Sequence, residues 1–338
     1  MKVTACIVSY NTAAHLPGAI GSLLAQTHPD LHIVVVDNNS CDGSAAVATR
    51  ATDVEVIANR RNLGFAGAAN QGVARAGDGA FFVLNPDVRL DPDHIAAAAA
   101  VLQADPTVAS VQGRLRRMAA DSRVLTGPDG HPIIDTTGHD AHRNRVFRNR
   151  GEDQPDDGRF DTPSDVFGVS GAAALYRLDA LHDVAIDGEI YDNDLFAFFE
   201  DVDLDWRLKA RGWRARYAPD ALALHERGGI GPRRSPFVER LSYRNWFLTV
   251  AKNDDWAAMR PDAHLLVATT ILRTADLAIT VPTAFVKALG DTRILRSTLR
   301  KRRLAEQRRT VPNIDIVDEW FGRFDYAAWF RKRILRGW

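Results

Sequence analysis

The chain has 338 residues, of which 46% are hydrophobic and 25% charged, and 43 basic residues balance 43 acidic ones. This length and composition predict an ordinary globular protein with one large or two smaller domains, and the zero net charge gives no argument for nucleic acid binding. The only cysteines, Cys6 and Cys41, are too few for a disulfide framework or a cysteine-based zinc site, which favours a reducing compartment.

No targeting or membrane-spanning segment is predicted. The N-terminus enters a strand pattern after a single lysine, without the apolar core of a signal peptide. No uninterrupted apolar run reaches the roughly 18 residues that a membrane span requires. We therefore expect a cytoplasmic protein.

The chain begins with a predicted strand at residues 2–9 and a helix at residues 15–26, the first half of a strand–helix–strand unit. A dinucleotide-binding oxidoreductase would carry Gly-x-Gly-x-x-Gly in the turn between them. The sequence has Ser9-Tyr10-Asn11-Thr12 there instead. This turn argues against the oxidoreductase class.

A second predicted strand, residues 31–36, delivers Asp37, Asn38, Asn39 and Ser40 to the same carboxyl edge of the sheet. A carboxylate at that edge can accept a hydrogen bond from the N3–H of uracil or thymine, a donor that cytosine lacks. The alternative is that these polar residues only cap the next helix.

A third predicted strand, residues 54–58, leads into a glycine-containing turn before a helix that runs through Asn70. Gly64 and Gly67 reduce steric bulk there, so that the helix N-terminus can approach a diphosphate. Arg60 or Arg61 can add positive charge to the same anion.

Residues 80–88 begin as a buried central strand and end in the turn Asn85-Pro86-Asp87. Pro86 cannot donate to a sheet and disfavours helix at Asn85, so the strand must end there. Asp87 is then presented where open α/β sheets bind ligands. An isolated turn of this kind is also compatible with a solvated aspartate.

A helix is predicted at residues 92–102 and a strand at 108–111, before a stretch rich in Gly, Pro, Asp and Arg at residues 113–165. We interpret that stretch as long loops or an excursion from the core, with a mobile surface loop as the alternative. Residues 167–176 predict another buried strand.

The acidic cluster that follows begins with Glu200 and Asp201, directly after Phe196, Phe198 and Phe199. Residues 200–205 contain four acids. Acidic side chains in the first turn of a helix suit the helix dipole, which accounts for one or two of these four. Carboxylates beside apolar surface have a raised pKa and can serve as a general base.

These stretches, taken together, resemble one family. They match in order and spacing the inverting family 2 glycosyltransferases of the GT-A fold, and within them the bacterial rhamnosyltransferase-like branch. The matching stretches are residues 3–11, 33–40, 62–72, 84–87 and 199–207.

The resemblance implies an α/β fold: a Rossmann-like GT-A domain with a mostly parallel mixed sheet flanked by helices. We place this catalytic domain at residues 1–232, with a nucleotide-sugar half at about 1–112 and an acceptor half at about 113–232. Residues 233–338 are predicted to be a helical, basic and aromatic C-terminal extension.

The resemblance also implies roles for single residues. Asp201, with Glu200 beside it, is the catalytic base, and Asp87 with His225 holds Mg²⁺ or Mn²⁺. His225 ends a predicted strand at 217–225, and a structural role for it is the alternative. Because Asn85 replaces the first aspartate of the usual Asp-x-Asp, the metal site has one charge fewer.

The residues assigned to the donor are Ser9, Tyr10, Asn11, Asp37, Asn39, Arg60, Asn62, Gly64, Asn70 and Asn85.

The function implied is transfer of a hexosyl group, with inversion, to a cell-surface glycan or a polyprenyl-linked acceptor. The first choice of transferred group is L-rhamnosyl, with dTDP-rhamnose as its donor. A UDP-sugar-dependent hexosyl- or galactofuranosyltransferase of the same family is the alternative. A non-catalytic glycan-binding scaffold would be expected to lose Asp201. A nucleotidyltransferase would favour a glycine-rich, basic loop after the first strand, which residues 9–12 do not supply.

The C-terminal extension combines a basic stretch at residues 293–309 with a tail at 320–338 in which aromatic and basic residues alternate. Such a pattern suits a membrane interface, so we expect peripheral contact with the inner face of the plasma membrane. The alternative is that the aromatic residues of the extension pack on the catalytic domain or on a second subunit. In the second case the protein would be a homodimer.

Overall fold

The structure, a computed structural model, describes residues 1–228, 235–291 and 293–327. The predicted domain boundary at 232/233 and the end of the aromatic and basic tail, 328–338, lie outside the described residues. No ligand or metal ion is part of the structure.

The first part of the chain alternates strands with helices, as the apolar patterns predict. Its elements are β1 (Val3–Ser9), α1 (Leu16–Leu24), β2 (Leu31–Asp37), α2 (Ser44–Arg50), β3 (Val54–Ala58), α3 (Gly64–Val73), β4 (Ala80–Leu84), β5 (Val88–Leu90), α4 (His94–Ala104) and β6 (Val108–Arg117). β1 pairs in parallel with β2 and β4, and β2 pairs in parallel with β3. Parallel neighbours need crossover helices, which the α segments provide.

The middle of the chain completes the sheet with short strands. Its elements are β7 (Ile134–Thr136), β8 (His139–His142), β9 (Phe147–Asn149), β10 (Ser164–Val166), β11 (Ala173–Arg177), α5 (Leu178–Asp183), α6 (Glu200–Ala210) and β12 (Arg214–His225), with a 3-10 turn at Asn193–Leu195 before α6. The long sheet has the order β10-β12-β6-β11-β4-β1-β2-β3, while β5 pairs with β12 and β7 with β6. β11 runs antiparallel to both β4 and β6, which makes the sheet mixed.

Alternate residues of the central strand supply two separate cores. Phe82 and Leu84 of β4 pack into one apolar cluster, and Phe81 and Val83 pack into the cluster on the opposite face. Successive strand residues point to opposite faces, so a strand covered on both sides reads as a continuous apolar run. This explains why the strand signal of residues 80–84 is strong in the sequence.

The region 113–165 is more regular than its composition predicts. β6 continues to Arg117 instead of ending at 111, and β7 to β10 all lie within the supposed excursion. Conversely, the strand predicted at 167–176 begins at Ala173, and the residues before it form a loop. These short strands depend on pairing with distant partners, which local composition does not reveal.

From residue 235 onward, the described chain is mostly helical. The elements are α7 (Pro236–Asn253), α8 (Trp256–Met259), a 3-10 turn (Arg260–Asp262), α9 (Ala263–Thr280), α10 (Pro282–Leu289), α11 (Arg293–Arg308), α12 (Asn313–Trp320) and a short strand β13 (Phe321–Gly322). β13 pairs with β8 in a three-stranded sheet of order β13-β8-β9. Phe321 packs on Trp206 of α6, so the extension is built into the catalytic part of the molecule.

One finding qualifies the expectation that the chain has no membrane span. The helical segment Trp256–Thr280 is long enough and apolar enough to cross a membrane, judged by length and composition only, and little of it is buried. Scattered polar residues interrupt every continuous apolar run in this segment without making it polar on average, so a search for uninterrupted apolar runs does not detect it.

Candidate active site

Polar side chains collect where β1 and β2 end at the same edge of the sheet. Ser9 and Asp37 are register partners, so the two strands end side by side. Asn11 has a left-handed backbone (φ 53°), and its Oδ1 accepts a hydrogen bond from the N–H of Cys41 at 2.9 Å. Tyr10 is 48% exposed, which leaves its ring face available for stacking. This edge is the predicted donor site.

Asp37 is buried with one oxygen uncommitted. Its Oδ2 accepts a hydrogen bond from the N–H of Ser40 at 3.1 Å. Its Oδ1 is buried and has no hydrogen-bond partner among the described residues. A buried acceptor without a donor is costly, so this atom suits a ligand N–H such as N3–H of uracil or thymine.

The glycine-containing turn before α3 is held by Asn38, a residue that the sequence analysis did not assign to the site. Asn38 Nδ2 donates to Asn62 Oδ1 and to the carbonyl oxygen of Gly64, both at 2.9 Å. Gly64 has φ 76°, and a Cβ there would lie 2.4 Å from the carbonyl oxygen of Phe196. Glycine is therefore required where this turn meets the chain that leads into α6.

Not every predicted donor residue points to this edge. Asn70 uses both ends of its amide on the backbone of Tyr191, at 2.7 and 2.9 Å. Asn39 and Arg60 are exposed. Asn85 follows β4, and its N–H donates to the carbonyl oxygen of Ala172 at 2.8 Å. Asn70 thus has a structural contact of its own, which the sequence pattern could not distinguish from ligand binding.

Asp87 and His225 are neighbours because β5 and β12 are paired. His225 is the register partner of Val88. Its Nε2 lies 3.4 Å from Asp87 Oδ1, and its Nδ1 shares a 2.8 Å hydrogen bond with Asp135 Oδ2. Burial favours the neutral ring, but the neighbouring carboxylates of Asp135 and Asp87 raise the pKa of His225 to about 9.

This pair fits a divalent cation. Asp87 Oδ1 is buried and has no hydrogen-bond partner among the described residues. A carboxylate oxygen beside an imidazole nitrogen is a donor set that Mn²⁺ accepts and that Mg²⁺ can share with phosphate and water. Asp135 orients the imidazole from behind, as carboxylates commonly do for histidine ligands. No group of three or more His, Cys, Asp or Glu suited to a metal occurs in the described ranges.

Asp201 lies in the first turn of α6, at the boundary between protein and solvent. Its Oδ2 accepts a hydrogen bond from the N–H of Gly171 at 3.1 Å, and its Oδ1 accepts one from Val202 at 2.8 Å. The side chain is 19% exposed. This carboxylate is held in place and is still reachable by a hydroxyl group.

Glu200, its neighbour, has a different environment. The residue is buried, and its Oε2 has no hydrogen-bond partner in the described part of the chain. Burial, reinforced by the nearby charge of Asp201, raises the pKa of Glu200 well above its ordinary range. Burial thus disfavours the charged form of this carboxyl group.

A buried histidine lies behind Asp201. His139 Nδ1 shares a 2.8 Å hydrogen bond with Asp205 Oδ2, and His139 Nε2 lies 3.7 Å from Asp201 Oδ2. Burial opposes protonation of the ring, but Asp201 and Asp205 together raise the pKa of His139. Burial also raises the pKa of Asp205 to about 6. A Cβ at Gly168 would lie 1.9 Å from Asp205 Oδ2. A residue without a Cβ is therefore needed at position 168 to leave space for the Asp205 carboxylate.

The turn before α6 has an unusual backbone. Phe196, Phe198 and Phe199 have φ values of 66°, 71° and 72°, a region that side chains other than glycine rarely adopt. Asn245 of α7 donates through Nδ2 to three carbonyl oxygens of this segment, those of Leu195, Ala197 and Phe198, at 2.7 to 2.8 Å. We call residues 195–199 the aromatic turn.

Gly171 and Ala172 connect the two ends of the site. Gly171 donates to Asp201, and Ala172 accepts from Asn85, which precedes Asp87 by two residues. The candidate base and the candidate metal ligand are thus attached to consecutive residues of one loop. A cavity of about 280 Å³ lies elsewhere, between α7 and α9, and its lining contains neither Asp87 nor Asp201.

Comparison with known sequences identifies similar proteins. The model of the family described as "Glycosyl transferase family 2" matches residues 4–184. The chain is 27% identical over 242 residues to the N-acetylglucosaminyl-diphospho-decaprenol L-rhamnosyltransferase of Mycobacterium tuberculosis, covering 65% of this chain and 74% of that protein. It is 33% identical over 136 residues to the succinoglycan biosynthesis protein ExoO of Rhizobium meliloti, covering 37% and 39%.

Solved structures share the fold. The mannosyltransferase PcManGT of Pyrobaculum calidifontis, in complex with GDP-Man and Mn²⁺, superposes with a TM-score of 0.53 at 18% identity, covering 94% of this chain and 87% of that one. GalNAc-T7 with UDP, GalNAc and Mn²⁺ gives 0.57 at 15% identity, covering 77% of this chain; the match spans half of that chain's length. These identities establish the GT-A fold alone.

Proposed function

Because the chain belongs to glycosyl transferase family 2 and is a glycosyltransferase, we propose that it transfers a hexosyl group with inversion from a pyrimidine nucleoside diphosphate sugar. Our first choice of donor is dTDP-L-rhamnose, and our first choice of acceptor is a polyprenyl-linked or cell-surface glycan. The name of the mycobacterial relative supports both choices. The observation that carries the proposal is the attachment of Asp201 and Asn85 to consecutive loop residues, Gly171 and Ala172.

The nucleotide is selected by Asp37. Its uncommitted Oδ1 accepts the N3–H of uracil or thymine, while cytosine presents no hydrogen at that position. Tyr10 flanks the base, and the Asn38-braced turn at Gly64 leaves room for the diphosphate near the start of α3.

Asp87 and His225 would hold a divalent cation, with the donor diphosphate supplying further oxygen ligands. When bound, such an ion supplies positive charge that stabilises the departing nucleoside diphosphate. GalNAc-T7 and PcManGT were solved with Mn²⁺, which supports this choice of cofactor.

Asp201 accepts the proton of the acceptor hydroxyl as that oxygen attacks C1 of the sugar. The new C1–O bond forms on the face opposite the diphosphate, the C1–O bond to the diphosphate breaks, and the configuration at C1 inverts. The N–H groups of Gly171 and Val202 fix the carboxylate of Asp201 for this transfer.

A UDP-linked hexose or galactofuranose donor is the second candidate, because Asp37 reads the edge that uracil and thymine share. The scaffold and nucleotidyltransferase alternatives are not retained, since the family is established and the proposed base, Asp201, is present.

A thermal-shift screen of dTDP-, UDP- and GDP-sugars with Mn²⁺ tests the donor class, because a ligand that binds only the native state raises the melting temperature. We expect dTDP- or UDP-sugars to stabilise the protein. Asp37→Ala should remove that response, whereas Asp30→Ala, an exposed aspartate at the other end of β2, should keep it. Stabilisation by GDP-sugars alone would contradict the proposal.

The metal ligand is tested separately. Asp87→Asn removes the only charge of the Asn85-Pro86-Asp87 turn. We expect Mn²⁺-dependent donor binding in calorimetric titration to weaken strongly, while any metal-independent component stays. If the parent and Asp87→Asn bind the donor equally well in the presence of Mn²⁺, Asp87 is not a ligand of the metal.

A further inference from the structure

Large apolar side chains are concentrated on the exposed faces of three consecutive helices, α9, α10 and α11. Fourteen large hydrophobic residues are exposed in the described chain, and eight of them lie here. They are Val267, Ile271, Leu272, Ile279, Val286, Leu289, Leu295 and Leu299, with exposed fractions of 39% to 79%. Together with the exposed Arg296, Arg300 and Arg303 of α11, we call this surface the α9–α11 face.

α9 has the reverse orientation of an ordinary surface helix. Its polar residues contact α7: Thr274 Oγ1 hydrogen-bonds the hydroxyl of Tyr243 at 2.8 Å, and the Arg273 guanidinium lies 5.0 Å from the ring centre of Trp246. Ile271 and Ile279 point the other way and are 61% and 79% exposed. A helix with its polar side inward and its apolar side outward marks an interaction surface.

α11 carries positive charge on its exposed side. Among its exposed residues, 295, 296, 299, 300 and 303 recur at three- and four-residue spacing and therefore form one stripe of leucine and arginine. Within this stripe, Arg300 is ion-paired with Asp187. Lys301, on the opposite side, is buried and bonds Asp192 at 2.5 Å. The inward side of α11 thus holds the helix to the protein, and its outward side is basic and apolar.

We propose that the α9–α11 face docks onto an anionic lipid leaflet, with these helices lying in the plane of the interface. A basic stripe next to exposed leucine and isoleucine is the composition that interfacial helices use. A symmetric contact with a second copy of this chain would bring like charges of α11 together, so it is the less favourable occupant. Crossing the membrane would detach Arg273 and Thr274 from α7.

This surface keeps the basic stretch at residues 293–309 that the sequence predicted for membrane contact, but not the aromatic tail. In the described part of the tail, Phe321 is 4% exposed, and the ring centre of Trp320 lies 3.7 Å from Lys209 Nζ. These aromatic residues pack on the catalytic part of the molecule, as the alternative interpretation of the tail stated. The apolar area available to lipid is on α9 to α11 instead.

Co-sedimentation of the full chain with vesicles tests the proposal without any transfer reaction. We expect binding to phosphatidylcholine vesicles that contain phosphatidylglycerol, much weaker binding to phosphatidylcholine alone, and a decrease as salt is raised. Full-length protein that ignores both kinds of vesicle at low salt would overturn the proposal.

Two pairs of substitutions separate the apolar and basic contributions. Ile271→Glu with Ile279→Glu should lower the partition coefficient by at least about tenfold. Arg296→Gln with Arg303→Gln should lower it about fivefold per arginine and flatten the salt dependence. Leu24→Glu, the same kind of change at a 47% exposed leucine of α1, is the matched control and should bind as the parent does.

The donor-induced thermal shift should persist in every variant, which shows that the variants are folded. Equal loss of vesicle binding in the Leu24 control would overturn the assignment of the face. So would a lipid-free dimer, seen by analytical ultracentrifugation, that the Ile271 and Ile279 substitutions dissociate, because a second copy would then be the occupant.

Discussion

Glu200 and Asp201 are adjacent in sequence, but the fold gives their carboxyl groups different surroundings. Asp201 accepts two backbone N–H bonds and is partly open to solvent. Glu200 is enclosed, and its pKa is raised well above the ordinary range by burial and by its neighbour. In the proposed reaction, the hydrogen-bonded and partly open carboxylate of Asp201 is therefore the one assigned to the acceptor proton.

The first prediction compares these two residues. Asp201→Asn should lower turnover by about 10²–10⁴-fold while donor binding stays, because general-base catalysis contributes that much. Glu200→Gln should cost less than about tenfold, since this buried side chain is replaced by an amide of nearly the same shape and its Oε2 has no hydrogen-bond partner among the described residues. Steady-state turnover and donor titration of both variants make the test. Near-native turnover of Asp201→Asn would show that another group is the base.

The second prediction concerns His139, which lies 3.7 Å behind Asp201. The two carboxylates raise its pKa from about 6.5, the ordinary value, so the ring is a cation in acid solution. A positive charge there opposes proton transfer to Asp201, and turnover should rise as pH increases through the His139 pKa. His139→Gln should remove this limb from the pH–rate profile and leave donor affinity unchanged. A profile identical to that of the parent would assign His139 a packing role only.

At the scale of elements, α7 supports the aromatic turn from outside the region that the family model matches. Three phenylalanines with left-handed backbones cost about 1–3 kcal/mol each, and such strain persists only where surrounding structure holds it. The Asn245 amide bonds three carbonyl oxygens of this turn. The turn also contacts the donor side, because the N–H of Ala66 donates to the carbonyl oxygen of Phe196 at 3.0 Å.

We therefore predict that Asn245→Ala lowers the free energy of unfolding by about 2–3 kcal/mol, since the part-buried carbonyl groups of Ala197 and Phe198 lose the amide that donates to them. Turnover should fall more than donor affinity, because Asp201 follows the turn directly. Urea denaturation and steady-state kinetics are the measurements. Thr249→Val, a buried change one helical turn further along α7, is the control and should leave turnover intact. Equal kinetics in both variants would argue against a coupling between α7 and the base.

At the scale of the whole molecule, the extension is attached through buried ion pairs. Lys252 of α7 and Lys301 of α11 both bond Asp192, which precedes α6, and Lys301 also bonds Glu189 at 2.9 Å. Burial alone would raise the pKa of Asp192, but the two lysines hold it well below its ordinary range. This lowered pKa contributes stability that is complete above the unfolded-state value of about 3.9 and is lost as pH falls through the folded-state value.

Asp192→Asn should accordingly lower the free energy of unfolding by about 3 kcal/mol at neutral pH, because two buried lysines lose a partner. The difference from the parent should narrow below about pH 4, where Asp192 of the unfolded parent is protonated. Urea denaturation across pH provides the measurement. Asp121→Asn, which breaks an exposed pair with Arg123, should change stability by less than about 1 kcal/mol. A difference independent of pH would contradict the ionic explanation.

Sequence patterns were sufficient for the buried strands β1 to β4 and for residues that stand directly at the ends of strongly patterned strands or helices, but not for the short strands β7 to β10. Asp37, Asp87 and Asp201 each follow or open an element whose apolar or helical periodicity is strong, so position and chemistry could be read together. Asn38, Asp135, His139 and Asn245 were missed because their partners are distant: His139 and Asp205 are 66 positions apart, and Asn245 and Phe198 are 47 apart. Asn70 shows the opposite error. An asparagine at this position is chemically suited to bind the donor, but its side-chain amide is hydrogen-bonded to the backbone of Tyr191.

The bracing of the aromatic turn by α7 has a consequence for the order in which the protein matures. Synthesis proceeds from the N-terminus at about 5–20 residues per second, so the donor edge of β1, β2 and β4 leaves the ribosome first. Asn245 follows Phe198 by 47 positions, and β13 pairs with β8 only near the end of the described chain. A nascent chain can therefore assemble the nucleotide-binding half before the turn that carries Asp201 is locked. Under the proposed function, transfer becomes available only after α7 has been synthesised and holds the aromatic turn.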